Sequence, residues 1–334
     1  MTHAADPTNI CDNMENIARL FLIALLGAAT PALGQAVYPA KQVRMVVPFP
    51  GGGSADSLCR IVGDKLSAAW SQPVIVDNRP GAGGNVGAEI VFRAEPDGYT
   101  LLCSPPGPLS INHNLYKSLP YDWSKFVPIT VLALVPNVIT ARKDLPANTA
   151  QELIAYAKAN PGKVTYASQG NGSTSHLSAQ MLATMGGIEM VHVPYKGEGP
   201  ALIDIVAGRV DIFVGNIAAA LRFEKTGQVK FLGLASKTRS LVAPDVPDAV
   251  EIGLPDLIAS AWFALVAPPG TPDAIVQKIN VDTAAALKLP DVRAKFLEQG
   301  AEPQGQSSAD TAAFIKEEEI RWRAVIHSAN VTLE

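Results

Sequence analysis

The chain has 334 residues, 48% of them hydrophobic and 17% charged, with a formal net charge of −4. This is a globular composition, and no segment clusters the lysines and arginines that would neutralise a run of phosphates, so nucleic acid is excluded as a partner. A chain of this length buries about three quarters of the surface its unfolded form exposes, so it folds without a disulfide scaffold or structural metal.

At the N-terminus one apolar run, Leu20 to Ala29, follows Arg19 and precedes a small-residue stretch that ends Gly34-Gln35-Ala36. The run is shorter than the roughly 20 apolar residues a bilayer requires, and it predicts a secretory signal peptide over residues 1–36, cleaved after Ala36. Asp12 and Glu15 stand where a basic segment is expected, and translation from Met14 would account for part of this. Export removes Cys11 and leaves Cys59 and Cys103 in an oxidising compartment, their pairing open.

Past the leader, short Val- and Ile-rich runs alternate with stretches of helical period, the pattern of a mainly parallel sheet covered by helices. Val43 to Pro48 reads as a strand. Ser54 to Trp70 reads as a helix with Leu58, Ile61, Val62, Leu66 and Ala69 on one face. Val74 to Val76 and Thr100 to Ser104 are strands with a helix, Val86 to Ala94, between them. A second set follows: strands at Val138 to Arg142, Val164 to Ala167, Val191 to Val193, Val210 to Val214 and Phe231 to Ala235, with helices at Ala150 to Ala159, Ser175 to Met185 and Pro200 to Ala207. Thr149 caps the first of those helices. Ser260 to Ala267 reads as a strand returning toward the first set, and Ala274 to Asn330 as helical. No low-complexity linker separates the halves.

Two strand–turn–helix junctions carry the chemistry. Pro48-Phe49-Pro50-Gly51-Gly52-Gly53-Ser54-Ala55-Asp56 lets main-chain N–H groups approach a ligand and aims a helix N-terminus at it, which suits a carboxylate or phosphate. The third glycine of a dinucleotide fingerprint is missing, and no Lys-Ser or Lys-Thr follows to make a P-loop. Gly170-Asn171-Gly172-Ser173-Thr174-Ser175-His176 repeats the logic in the second half. The hydroxyls of Ser173, Thr174 and Ser175 either bind ligand or cap the helix. Ser173→Ala is expected to weaken ligand binding with little change in the melting of the unliganded protein. A hydrolase built on Ser173 and His176 lacks a nucleophile elbow and an orienting third residue. The five histidines show no metal-ligand spacing, so neither metal nor cofactor is expected. Tyr195, Lys196, Asn216, Trp262 and Phe263 fall at strand ends or just beyond them, where a cleft would be lined, although Trp262 and Phe263 would equally well pack a hinge.

These motifs, taken in order with Tyr38-Pro39, Asn78-Arg79-Pro80-Gly81-Ala82-Gly83-Gly84, Pro96-Asp97-Gly98-Tyr99-Thr100-Leu101, Leu119-Pro120-Tyr121-Asp122, Val193-Pro194-Tyr195-Lys196-Gly197, Gly208-Arg209-Val210-Asp211 and Pro268-Pro269-Gly270-Thr271-Pro272, resemble the Bug family of extracytoplasmic solute receptors. Members are the periplasmic subunits of tripartite tricarboxylate transporters. The resemblance implies an α/β, two-lobe periplasmic-binding-protein fold, type II-like, with each lobe a mainly parallel sheet flanked by helices and the two joined by crossing hinge strands. The lobes expected are 37–137 with 260–334, and 138–259.

The resemblance also implies a non-enzymatic, monomeric periplasmic protein that closes on a small carboxylate and delivers it to integral-membrane transporter subunits. A periplasmic sensor and a small-carboxylate enzyme are the alternatives. The ligand-binding residues expected are Phe49, Pro50, Gly51, Gly52, Gly53, Ser54, Asp56, Ser104, Gly172, Ser173, Thr174, Ser175, Tyr195, Asn216 and Trp262. The chain departs from the family pattern at Gly51, at Ser104-Pro105-Pro106-Gly107, and at Val214-Gly215, where an aromatic-Asp pair is frequent. The last change removes an acid near the cleft and is expected to disfavour amino-acid ligands, whose ammonium would lack a counter-charge.

Overall fold

The structure is a computed structural model and describes residues 38–328, so the predicted leader over residues 1–36 lies outside it. The first lobe's βα units are β1 (Val43–Val47), α1 (Ser54–Trp70), β2 (Val74–Asn78), α2 (Asn85–Phe92) and β3 (Thr100–Ser104), followed by the short α3 (Asn112–Leu115). Val43, Met45, Val46 and Val47 have no exposed surface, as a strand covered on both faces requires. The α1 helix buries Leu58, Val62 and Leu66, spaced four apart on one stripe. Cys59 on α1 and Cys103 on β3 form a disulfide with their Cα atoms 6.5 Å apart, which ties the helix to the sheet.

The chain continues through β4 (Val127–Arg142), α4 (Ala150–Ala159), β5 (Val164–Ser168), α5 (Thr174–Gly186), β6 (Met190–Pro194), α6 (Glu198–Val206), β7 (Ile212–Asn216), α7 (Ile217–Lys225) and β8 (Val229–Leu234). It returns through β9 (Ser260–Ala267), α8 (Asp273–Lys288), α9 (Pro290–Glu298), β10 (Glu302–Pro303) and α10 (Ser308–Ser328).

The 16-residue strand β4 is the spine. Its first half pairs antiparallel with β9, ending at Pro136 opposite Ser260, and with β10. Its second half pairs antiparallel with β7, starting at Asn137 opposite Asn216, and with β8. The change of partner falls between Pro136 and Asn137. Proline has no N–H for a ladder, so Pro136 is tolerated where one partner strand stops and the next starts. The sequence predicts a strand over Val138 to Arg142 alone, after Pro136; the pairing extends it back to Val127. The α7 helix also escapes the sequence reading, although Leu221 and Ala220 bury one face of it.

Backbone hydrogen bonds gather at the changeover. Asn137 N–H donates to the Ala259 carbonyl, Ala235 N–H to the Asn137 carbonyl, and Ala259 N–H to the Ala235 carbonyl, at 3.2, 2.8 and 2.9 Å. Three segments therefore meet at one point of β4. The α10 helix spans the same changeover: Ile315 packs with Val46, Leu102 and Trp262, whereas Trp322 and Ile326 pack with Ile139, Tyr166 and Val214.

Strand directions fix where a site can form. β1, β2 and β3 are parallel, β3 opposes β9 and β9 opposes β4, so β1–β3 run in the sense of β4, toward the changeover. β7 opposes β4, and β5 and β6 are parallel to β7, so this set runs toward the changeover from the other side. The carboxyl ends of all six parallel strands converge, which is where open α/β sheets bind ligands.

Candidate functional site: facing strand ends and two helix N-termini

On the first side, the turn after β1 ends in α1, whose cap position, Gly53, has extended backbone and offers no side chain to the first helical N–H groups. Those donors stay available to an outside acceptor. Pro50, Gly51, Gly52 and Gly53 are exposed and Phe49 and Ser54 partly so. Asp56, by contrast, is buried: its carboxylate accepts from Gly52 N–H at 2.9 Å and pairs with Arg60 at 2.8 Å. Burial opposes the charge, but the bonds from Arg60, Gly52 and Asn78 outweigh it and hold the carboxyl below its usual range. Asp56 therefore shapes the turn from beneath.

The turn after β2, Gly81 to Gly84, packs against this one. A Cβ on Gly84 would lie 2.8 Å from Pro108 and 3.1 Å from the Phe49 ring, and its φ of +95° already demands glycine. Asn112 Nδ2 donates to the Gly83 carbonyl at 3.0 Å, which brings the segment after β3 to the same rim. The glycine run following a strand was the available sequence signal for this second turn.

On the facing side, Ser173 caps α5. Its hydroxyl accepts from His176 N–H at 3.3 Å and donates to the Gly170 carbonyl at 2.6 Å. Ser175 has no exposed surface, and its hydroxyl accepts from Gln169 N–H at 2.8 Å and meets Ser173 Oγ at 3.0 Å. Thr174 and Gly172 are buried at the helix entrance. The Ser173 hydroxyl is thus spent on the backbone, which changes the expected result for its replacement. Ser173→Ala should lower stability by about 1 kcal/mol through the lost cap, read as a fall in the urea midpoint of the unliganded protein at unchanged m-value.

His176 does not address Ser173 with its ring. Its Nδ1 accepts from Gly172 N–H at 3.1 Å, which places the proton of the neutral imidazole on Nε2. The ring stacks on His192 at 4.1 Å, His192 stacks on Tyr166 at 4.8 Å, and His192 Nε2 meets Ser168 Oγ at 2.7 Å. Burial, then the neighbouring His192, pushes His176 down to about 4. A histidine depressed in the folded state contributes fully above its unfolded value of about 6.5 and loses that contribution as pH falls toward 4, because the unfolded chain takes up the proton first. The loss amounts to about 3 kcal/mol. Urea midpoints measured from pH 7 to 4.5 should fall accordingly, and His176→Asn should flatten that part of the profile.

Besides Asp56, Thr174 and Ser175, the predicted residues Trp262 and Ser104 have buried side chains, and Tyr195 is half-buried with its hydroxyl engaged. Trp262 has no exposed surface; its indole N–H donates to Glu318 at 2.9 Å, and its ring meets Phe314 edge-on at 5.4 Å. Its packing role holds it in the core. Ser104 is likewise fully buried, with its hydroxyl turned to the Pro105 carbonyl. Tyr195 donates its phenol to Asp204 at 2.7 Å, along α6.

Two residues the sequence reading missed, Gln169 and Glu198, lie at the strand ends on this side. Glu198 opens α6, and its Oε1 accepts from Gln169 Nε2 at 2.5 Å and from Asn216 Nδ2. Gln169, Glu198 and Asn216 follow β5, β6 and end β7, so one carboxylate joins all three strand ends. Glu198 lies deep yet retains some exposed surface, as a cleft residue does, and burial pushes its carboxyl up to about 7. An acid is thus present beside the end of β7 although Gly215 itself carries none. The sequence reading started this helix at Pro200, which left Glu198 in the preceding turn.

Two α/β halves that share a spine strand and present helix N-termini at converging strand ends define a two-lobe solute-binding receptor. The comparisons narrow the class. The profile of the "Tripartite tricarboxylate transporter family receptor" matches residues 58–331. Protein BugT of Bordetella pertussis is 36% identical over 314 residues, covering 93% of this chain and 96% of BugT. A protein of R. palustris solved with adipate superimposes with a TM-score of 0.83 at 36% identity, covering 88% of this chain and 99% of that one. MatC from Rhodopseudomonas palustris, with bound malate, gives 0.78 at 34%, covering 86% and 100%. The chain belongs to the tripartite tricarboxylate transporter receptor family.

Proposed function

We propose that the protein captures a small carboxylate between lobes formed by residues 37–137 with 260–334 and by 138–259, and delivers it to integral-membrane transporter subunits as a monomer in the periplasm. The observation that carries this reading is the convergence of six strand ends with two helix N-termini, at Gly53–Ser54 and at Ser173–Thr174, on opposite sides of the changeover in β4. A carboxylate held by both termini gains from both only when the lobes close, so ligand favours the closed form. The similar proteins solved with adipate and malate support a carboxylate as the cargo. The buried Cys59–Cys103 bond supports an oxidising compartment and, with it, removal of residues 1–36.

Glycine backbone at the first turn matters because a ligand there approaches the main chain. On this reading Gly51, Gly52, Gly53 and Ser54 supply N–H groups on one side, and Gly172, Ser173 and Thr174 line the other. Native mass spectrometry of the protein incubated with dicarboxylates tests it. The expected result is a one-to-one complex from which the dicarboxylate is recovered chemically unchanged; recovery of a converted product would replace capture by catalysis.

A further inference from the structure

Among the described residues the fully buried carboxylates have cationic partners: Asp56 has Arg60, Glu318 has Arg321, and Glu319 has Arg323 and His113. Glu198, which retains some exposed surface, differs. Its bonded neighbours are the neutral amides of Gln169 and Asn216, and it joins no ion pair among the described residues. Both bonds fall on Oε1, which leaves Oε2 without a protein donor among those residues. Asn216 Oδ1, on the same amide that touches Glu198, is a second acceptor that is buried and unpartnered. Two donors and the N-terminus of its own helix favour the ionised form, while depth penalises an anion left without a counter-charge.

We propose that Glu198 is the specificity-determining residue of the cleft and that the cargo carries an ammonium group beside its carboxylate, the ammonium pairing with Glu198 Oε2. This rests on the capture reading above and deepens it. The helix N-termini take the carboxylate end, and Glu198 takes the cationic end, which places opposite charges of a zwitterion in opposite fields. A charge-assisted bond to a desolvated carboxylate is worth more than a neutral one, so matched ligands differing only by the amino group should separate by about tenfold to a hundredfold in affinity.

Calorimetric titration with three matched pairs tests this: succinate and aspartate, glutarate and glutamate, adipate and 2-aminoadipate. The wild type should bind at least one amino member about tenfold or more tighter than its plain partner, and Glu198→Gln should erase that preference while retaining the melting temperature. Plain acids that bind with no amino member preferred would overturn the proposal and leave the capture reading standing. Plain acids whose affinity falls above neutral pH, with the fall abolished in Glu198→Gln, would also overturn it, since Glu198 would then be taking a proton in place of a cation. No binding by either series would overturn both.

Discussion

Trp262→Ala should cost about 3–5 kcal/mol, enough to remove most of the stability of an ordinary domain, because it empties a fully buried indole from the sheet face beneath α10. The indole also gives Glu318 one of its donors, the others being Trp322 at 3.1 Å and Arg321 at 2.7 Å. Trp262→Phe keeps most of the volume and loses only the N–H, so its cost should fall to about 1–3 kcal/mol. Urea denaturation measures both. Because Trp262 has no surface in the cleft, carboxylate affinity of the Phe variant should match the wild type. A large loss of affinity without a loss of stability would restore it as a wall residue.

The second large effect belongs to Cys59 and Cys103, 44 residues apart. Closing a loop of that length restricts the unfolded chain by about 4 kcal/mol on the chain-entropy account. Replacing both by alanine should therefore lower the unfolding free energy by about that amount. Reducing agent should reproduce the loss in the wild type and do nothing to the double variant, as followed by urea melts with and without reductant. Both side chains are fully buried, between α1 and β3, so a residual cost from lost packing accompanies either treatment.

What the sequence made legible follows from what is periodic in it. Helices α1 and α4 and strands β1, β3 and β9 were readable because apolar residues recur at 3.6- or 2-residue spacing or fill a strand buried on both faces. The two glycine-rich turns were readable because glycine before a helix start is a local signal. The length of β4 was not, since a proline in a continuous ladder lacks a donor, and here the partner strand changes at Pro136. Trp262 was ambiguous for a similar reason: a strand end adjoins both cleft and core, and only the position of Glu318, 56 residues later, decides between them.

Glu198 shows the same limit in the site itself. Nothing local distinguishes an acid in an ordinary turn before a helix from one set at three strand ends. That difference is created by Gln169 and Asn216, which β5 and β7 bring alongside. Ser173 lies between the extremes. Its cap role was foreseeable from a serine placed just before an apolar helix, yet whether the hydroxyl keeps a free valence depended on the Gly170 carbonyl, which a positive-φ glycine at 132° turns toward it.

The most direct test of the account is a thermal-shift series on the purified protein with mono-, di- and tricarboxylates, their amino derivatives, and nucleotides. A ligand that binds only the folded form raises the transition as RT ln(1 + [L]/Kd), so a rise that grows with concentration for a carboxylate-bearing compound and is absent for nucleotides is the predicted result. A shift with nucleotides alone, or none with any carboxylate, would contradict the claim that these facing helix N-termini form a carboxylate trap.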